Sequence, residues 1–127
     1  MANCLSGKLL ITGSSTMAPM VEELAKRFRM RYPGVVITVE AGGSGRGVAD
    51  ALEGKADIGM ASRELNPKEK ALFGIPIARD GNWPLSRPLK LLTRRVPVGA
   101  ARAFIEFTLS PAAREVILEH DFVPYLN

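Results

Sequence analysis

An apolar run, Leu9-Leu10-Ile11, leads into Gly13-Ser14-Ser15-Thr16-Met17-Ala18-Pro19, and Met17, Met20, Val21, Leu24, Phe28 and Tyr32 then recur at helical spacing. A short buried strand, a glycine turn and an amphipathic helix are the reading with the fewest alternatives. The helix opens among hydroxyls and backbone N–H groups that have no intrahelical acceptor, and its dipole favours negative charge there. The turn therefore predicts an anion site at a helix N-terminus.

The arrangement recurs twice. Val35 to Glu40 alternates and is β-branched, and Ala41-Gly42-Gly43-Ser44-Gly45-Arg46-Gly47 follows it. Ser44 is expected to cap a helix that runs to about Glu53 and stops at Gly54. Asp57-Ile58-Gly59-Met60-Ala61 reads as a third strand, followed by Ser62-Arg63. A βαβαβ run implies a parallel sheet with right-handed crossovers, and ligands of such sheets bind beyond the carboxyl ends of the strands. All three turns fall at that end.

Further on, Asn66-Pro67-Lys68-Glu69 carries a cap, a proline at the first helical position and a capping-box glutamate, so a short helix starts there. Ile75 to Arg79 is expected to be a fourth strand and Asp80-Gly81-Asn82 a turn. Pro88 to Thr93 is a returning strand. Val98 to Leu109 is helical, with Ala101, Phe104, Ile105 and Thr108 inward. Ser110-Pro111 is expected to cap and start a last helix to about His120, and Phe122-Val123-Pro124 packs back on the body.

The ordered motifs GSSTMAP, AGGSGRG and KADIGMASRE resemble the phosphate-binding component of the bacterial phosphate ABC transporter, a type II periplasmic binding protein. IPIARDG, NWPLSRPLKLLT and ARAFIEFTLSPAAREVI extend the resemblance over residues 8 to 125. It implies an α/β fold: one lobe of the type II fold, about five mostly parallel strands with one antiparallel return strand, and helices on both faces. Residues 1–127 would form a single domain, with 8–81 as the first-lobe segment and 82–127 as the returning strand and C-terminal helices. IARDG runs almost directly into NWPLSRPL, so the family's second lobe, with its arginine and Ser-Gly-Thr turn, is expected to be missing. Trp83 and Pro84 would lie at that seam.

The resemblance also implies which residues touch the ligand. Ser15 and Thr16 match the first phosphate-contacting turn and Ser44 the second. Ser62 stands where some members carry a carboxylate, and Arg63 beside it has a guanidinium fork suited to an oxyanion. Gly13, Gly43 and Gly45 are the supporting turn positions. For the serines, helix capping is the alternative; for Arg63, a solvated surface side chain.

The remaining features set limits. A net charge of +4 accords with an anion ligand, but neither an aromatic ladder nor zinc-finger spacing points to nucleic acid. Gly43 to Gly47 lacks the lysine and hydroxyl of a nucleotide P-loop. Without a nucleophile elbow, a partnered histidine or a metal-ligand cluster, neither an enzyme nor a metal or cofactor is expected. Cys4 is the single cysteine, which rules out an internal disulfide. Met1 to Gly7 lacks the basic and apolar regions of a secretory signal. The resemblance nonetheless implies a periplasmic or extracellular protein, with Cys4 a candidate lipid-attachment site and ABC permease subunits as partners. The competing expectation is an interaction module that homodimerises or binds a protein through the face a second lobe would cover.

Overall fold

The computed structural model describes residues 5–81 and 86–125. Cys4, Trp83 and Pro84 lie outside them. In chain order the elements are β1 (Gly7–Gly13), α1 (Ala18–Arg31), β2 (Val35–Ala41), α2 (Ser44–Glu53), β3 (Ile58–Ala61), a 3-10 turn (Pro67–Glu69), β4 (Phe73–Asp80), β5 (Arg87–Thr93), α3 (Gly99–Thr108), α4 (Pro111–Glu119) and β6 (Val123–Pro124). They form one sheet in the order β2-β1-β3-β5-β4-β6.

β1 pairs in parallel with β2 from Gly7↔Val35 to Gly13↔Ala41, and with β3 from Ile11↔Ile58 to Gly13↔Met60. β5 returns antiparallel to β3, and β4 lies antiparallel to β5. The expected return strand is therefore present. The sheet has six strands rather than five, because Val123 and Pro124 pair with Arg79 and Ala78 at its edge. Two residues ending in proline give too short a run for periodicity to register as a strand.

Burial follows the alternation of the strands. Leu9 and Ile11 of β1 and Leu89 and Leu91 of β5 join the core under α1, α3 and α4, with Met20, Val21, Leu24 and Phe28 of α1. Leu92 faces the opposite side and packs with Val48 and Ala51 of α2 and with Leu65 and Leu72. Phe104, Ile105 and Thr108 of α3 are buried as their spacing implies, and Ala101 is partly buried. Phe28 sits between Phe104 and Phe107 in edge-on contacts at 5.5 and 5.7 Å.

The expected capping box holds: Asn66 Oδ1 accepts the Glu69 N–H at 3.1 Å and Glu69 Oε1 accepts the Asn66 N–H at 3.0 Å. Of the two expected serine caps, Ser110 does sit at the N-cap of α4 with Pro111 next, but its side chain makes no capping bond, and Ser44 is not at the N-cap of α2. Ser110 Oγ donates instead to the Phe107 carbonyl at 2.6 Å, turning back onto α3. The N-cap of α2 is Gly43, which moves Ser44 to the first helical position and frees its hydroxyl for another partner.

Candidate anion site

The three turns meet at the carboxyl ends of β1, β2 and β3. The Gly13 carbonyl accepts the N–H groups of both Gly42 and Gly43 at 2.9 Å, and the Met60 carbonyl accepts the Ser14 N–H at 3.0 Å. These bonds stitch the β1–α1 turn to the β2–α2 turn and to the end of β3.

Glycines permit the close approach. Gly13 has φ +135°, and a Cβ there would overlap the Met60 carbonyl oxygen and lie 2.8 Å from the Gly47 Cα. Gly47 faces the Gly13 Cα and the Thr12 carbonyl, and Gly59 faces the Gly47 carbonyl. The first turn of α2 thus rests backbone on backbone across β1 and β3. Gly43 is needed for a different reason, a left-handed φ of +90°. Gly45 has nothing within 4 Å of its missing Cβ, so the fold does not require glycine there. Gly47 and Gly59 were not among the expected supporting positions, although the tight glycine spacing of AGGSGRG hinted at Gly47.

Ser44 and Ser62 come together. Ser44 Oγ accepts the Ser62 N–H at 3.0 Å, and the two hydroxyl oxygens are 3.2 Å apart. Ser15 and Thr16 are exposed in the turn before α1. Ser14, which sequence reasoning passed over, is buried, and its Oγ accepts the Met17 N–H at 3.2 Å and sets the start of the helix. The N–H groups of Ser15, Thr16, Ser44 and Gly45 find no acceptor among the described residues. The site therefore offers neutral donors: backbone N–H groups at two helix starts, with four hydroxyls beside them.

The nearby cations are engaged elsewhere. The Arg63 fork closes on Glu69, with Nη1 to Oε1 at 2.8 Å and Nη2 to Oε2 at 3.1 Å, and Nη1 also donates to the Glu64 carbonyl. The fork that the resemblance directs at an oxyanion is here held by a carboxylate that the capping box already orients. The pairing raises the Arg63 pKa and, with the Asn66 N–H, pulls the Glu69 carboxyl down to about 2. Arg46 pairs with Glu40 at 2.6 Å and with Asp50 at 3.1 Å, and donates to the Ala41 carbonyl at 3.2 Å. These bonds, the one to Glu40 foremost, raise its pKa. Asp50 also accepts the Thr12 hydroxyl at 2.9 Å, tying α2 to β1.

A model of the PBP superfamily domain matches residues 2–81. The phosphate-binding protein PstS 2 of Streptococcus pneumoniae is 44% identical over 78 residues, which are 61% of this chain and 27% of that protein. Protein SphX of Synechocystis is 38% identical over 100 residues, 69% of this chain and 30% of that one. The chain thus spans under a third of these relatives' length. Among solved structures, an ABC-type phosphate transport receptor from Vibrio cholerae superposes with a TM-score of 0.84 over 92% of this chain and 99% of that chain. At 15% identity that likeness is one of fold. A phosphate-binding protein of a Streptococcus pneumoniae phosphate ABC transporter superposes at TM-score 0.53 and 30% identity, over 82% of this chain and 40% of that one.

Proposed function

This chain belongs to the PBP superfamily, and we propose that it binds phosphate or a similar tetrahedral oxyanion, without catalysis, as a one-lobed solute-binding protein of a phosphate ABC transport system. The observation that carries the reading is the meeting of Ser44 with Ser62 at the start of α2, beside open N–H groups at two helix N-termini. Such N–H groups and hydroxyls donate to anion oxygens, and the helix dipoles favour the charge. The relatives named as phosphate-binding proteins support phosphate as the tetrahedral anion.

The ligand-contacting set is Ser15, Thr16, Ser44 and Ser62; Arg63 contributes only if its fork leaves Glu69. Transport would pair the protein with ABC permease subunits in the periplasm or outside the cell, and Cys4 offers the one thiol for a lipid anchor.

Binding is expected to be weak. β4 ends at Asp80 and β5 begins at Arg87, so no second lobe enters between them to close over the site. Charged hydrogen bonds that stay open to water contribute less than in a dry cleft. The affinity is placed at the millimolar end, about 4 kcal/mol of binding free energy. An NMR titration with phosphate at constant ionic strength tests this. Saturable shifts at Ser15, Thr16, Ser44 and Gly45, lost in Ser44→Asp, are expected. Shifts scattered over the surface, or unchanged in the variant, would overturn the site.

A further inference from the structure

The sheet has two unlike edges. At one end β6 contributes two residues and finishes in Pro124, which has no N–H to donate to a further strand. At the other end β2 runs for seven residues, VVITVEA, with neither proline nor lysine to discourage a neighbour. Its outer side carries no strand among the described residues.

The register shows which backbone groups face outward. Gly7 N–H donates to the Gly34 carbonyl at 3.3 Å and Gly42 N–H to the Gly13 carbonyl at 2.9 Å, at the two ends of the β1–β2 ladder. Alternate residues of a parallel strand turn their groups to the same neighbour, so Val36, Thr38 and Glu40 serve β1. The N–H and C=O groups of Ile37 and Val39 therefore point away from it, along the open edge. At the strand's ends outward groups are already engaged: Val35 N–H donates to the Tyr32 carbonyl at 3.1 Å, and the Ala41 carbonyl accepts Arg46. The free edge is centred on Thr38.

Helix α1 leaves a groove of about 400 Å³ beside this edge, lined on the helix side by Glu22, Ala25, Lys26 and Arg29. On the strand side, Ile37 and Val39 are half-buried against the core and Thr38 is exposed. Glu22, Lys26 and Arg29 are exposed, and none makes an ion pair among the described residues. Glu22 and Arg29 stand two turns apart on one face of the helix, so the stripe has a negative end and a positive end.

We propose that β2 pairs antiparallel with β2 of a second copy of this chain, about a twofold axis at Thr38, joining two six-stranded sheets into one. In this register Ile37 opposes Val39 of the second copy, and the two exchange both N–H···O=C bonds, which meets the open edge groups. Their β-branched side chains face each other on the α1 side. Thr38 opposes its own copy in a narrow, non-hydrogen-bonded pair. The same axis lays the two α1 helices antiparallel on one side of the joined sheet. Glu22 of each copy then comes opposite Arg29 of the other. This match of the stripe to its own reverse selects a second copy over an unrelated strand. The edge lies away from β4 and β5, between which a second lobe would enter, and pairing there does not depend on anion binding.

Sedimentation equilibrium of the chain, at concentrations up to about 1 mM and low ionic strength, tests the pairing. A monomer–dimer equilibrium is expected. Thr38→Lys sets like charges directly opposite and should raise the dissociation constant about tenfold. Glu22→Arg and Arg29→Glu should each do the same, and the double variant should return towards wild type. All three side chains are exposed, so the core is untouched. Disulfide cross-linking in a Cys4→Ser background reads the register. Thr38→Cys should link two copies under mild oxidation, because opposed Cα atoms of a non-hydrogen-bonded pair lie about 4.5 Å apart, within disulfide range. Val36→Cys should not, since Val36 faces Glu40 of the second copy. A monomer throughout, a dimer indifferent to Thr38→Lys and to the charge reversals, or cross-linking at Val36 in place of Thr38 would overturn the pairing.

Discussion

The carbonyl oxygen of Met60 occupies the space a Cβ on Gly13 would need, and the same oxygen accepts the Ser14 N–H at 3.0 Å. Any side chain at Gly13 must push β3 or α2 away from β1, and also adopt a φ of +135° that L residues rarely take. Gly13→Ala is therefore expected to cost about 1–3 kcal/mol. Gly45→Ala meets open space and should be neutral or stabilising by up to about 1 kcal/mol. Denaturant unfolding of the two variants reads the contrast directly, and equal midpoints would remove the backbone-contact account of Gly13.

Glu69 predicts a specific acid sensitivity. Its carboxyl is lowered from 4.5 to about 2, first by Arg63 and then by the Asn66 N–H. A depressed folded-state pKa means that the contribution is present above the unfolded value and lost as pH falls through the folded one. Stability should thus decline between pH 4.5 and about 2, and Glu69→Gln should flatten that part of the profile. At neutral pH the substitution should cost about 1 kcal/mol, since the Arg63 side chain is 42% exposed and solvent weakens the pair. Unfolding midpoints measured across this range decide it; an unaltered slope in Glu69→Gln would assign the acid response elsewhere.

Phe28 is the joint between α1 and α3. It is fully buried, with Tyr32 at 4.8 Å on its own helix and Phe104 and Phe107 across the interface. Phe28→Ala should remove about 3–5 kcal/mol. Phe28→Leu, which keeps most of the volume, should cost distinctly less. Calorimetric melting of both variants tests whether this aromatic cluster carries the α1–α3 packing.

Local signals reached most of the fold. The stripe from Met17 to Phe28 and the alternation of Val35 to Glu40 define α1 and β2 without tertiary knowledge, and Asn66 and Glu69 announce their capping box. What stayed hidden depends on contacts distant in sequence. Nothing near Ser44 indicates that Ser62 would claim its hydroxyl, and capping was the sensible local inference. Arg63 reads as free because its partner, Glu69, is brought round by a turn whose path the spacing does not specify. Gly59 looks like an ordinary strand glycine until α2 is laid across it.

Selectivity provides the last prediction. Sulfate and hydrogen phosphate have nearly the same shape, and only the second carries a proton to donate. Rejecting sulfate therefore requires an acceptor that has no proton of its own, and a carboxylate meets that need. At the Ser44 site the side chains are hydroxyls, with Ser44 and Ser62 3.2 Å apart. A hydroxyl rotates to donate or accept, so the wild-type site should bind the two anions with affinities within about threefold, under 1 kcal/mol. Ser62→Asp adds the missing acceptor at a position whose N–H is already fixed by Ser44 Oγ at 3.0 Å. The added charge should weaken both anions. Sulfate should lose more, because it faces the carboxylate without a proton between them, and the preference for hydrogen phosphate should rise about tenfold, or 1.4 kcal/mol. Parallel titrations of wild type and Ser62→Asp with each anion, at constant ionic strength and a pH where hydrogen phosphate dominates, measure that ratio. An unchanged ratio would mean that the anion does not sit against Ser62, and would confine the site to Ser15, Thr16 and the start of α2.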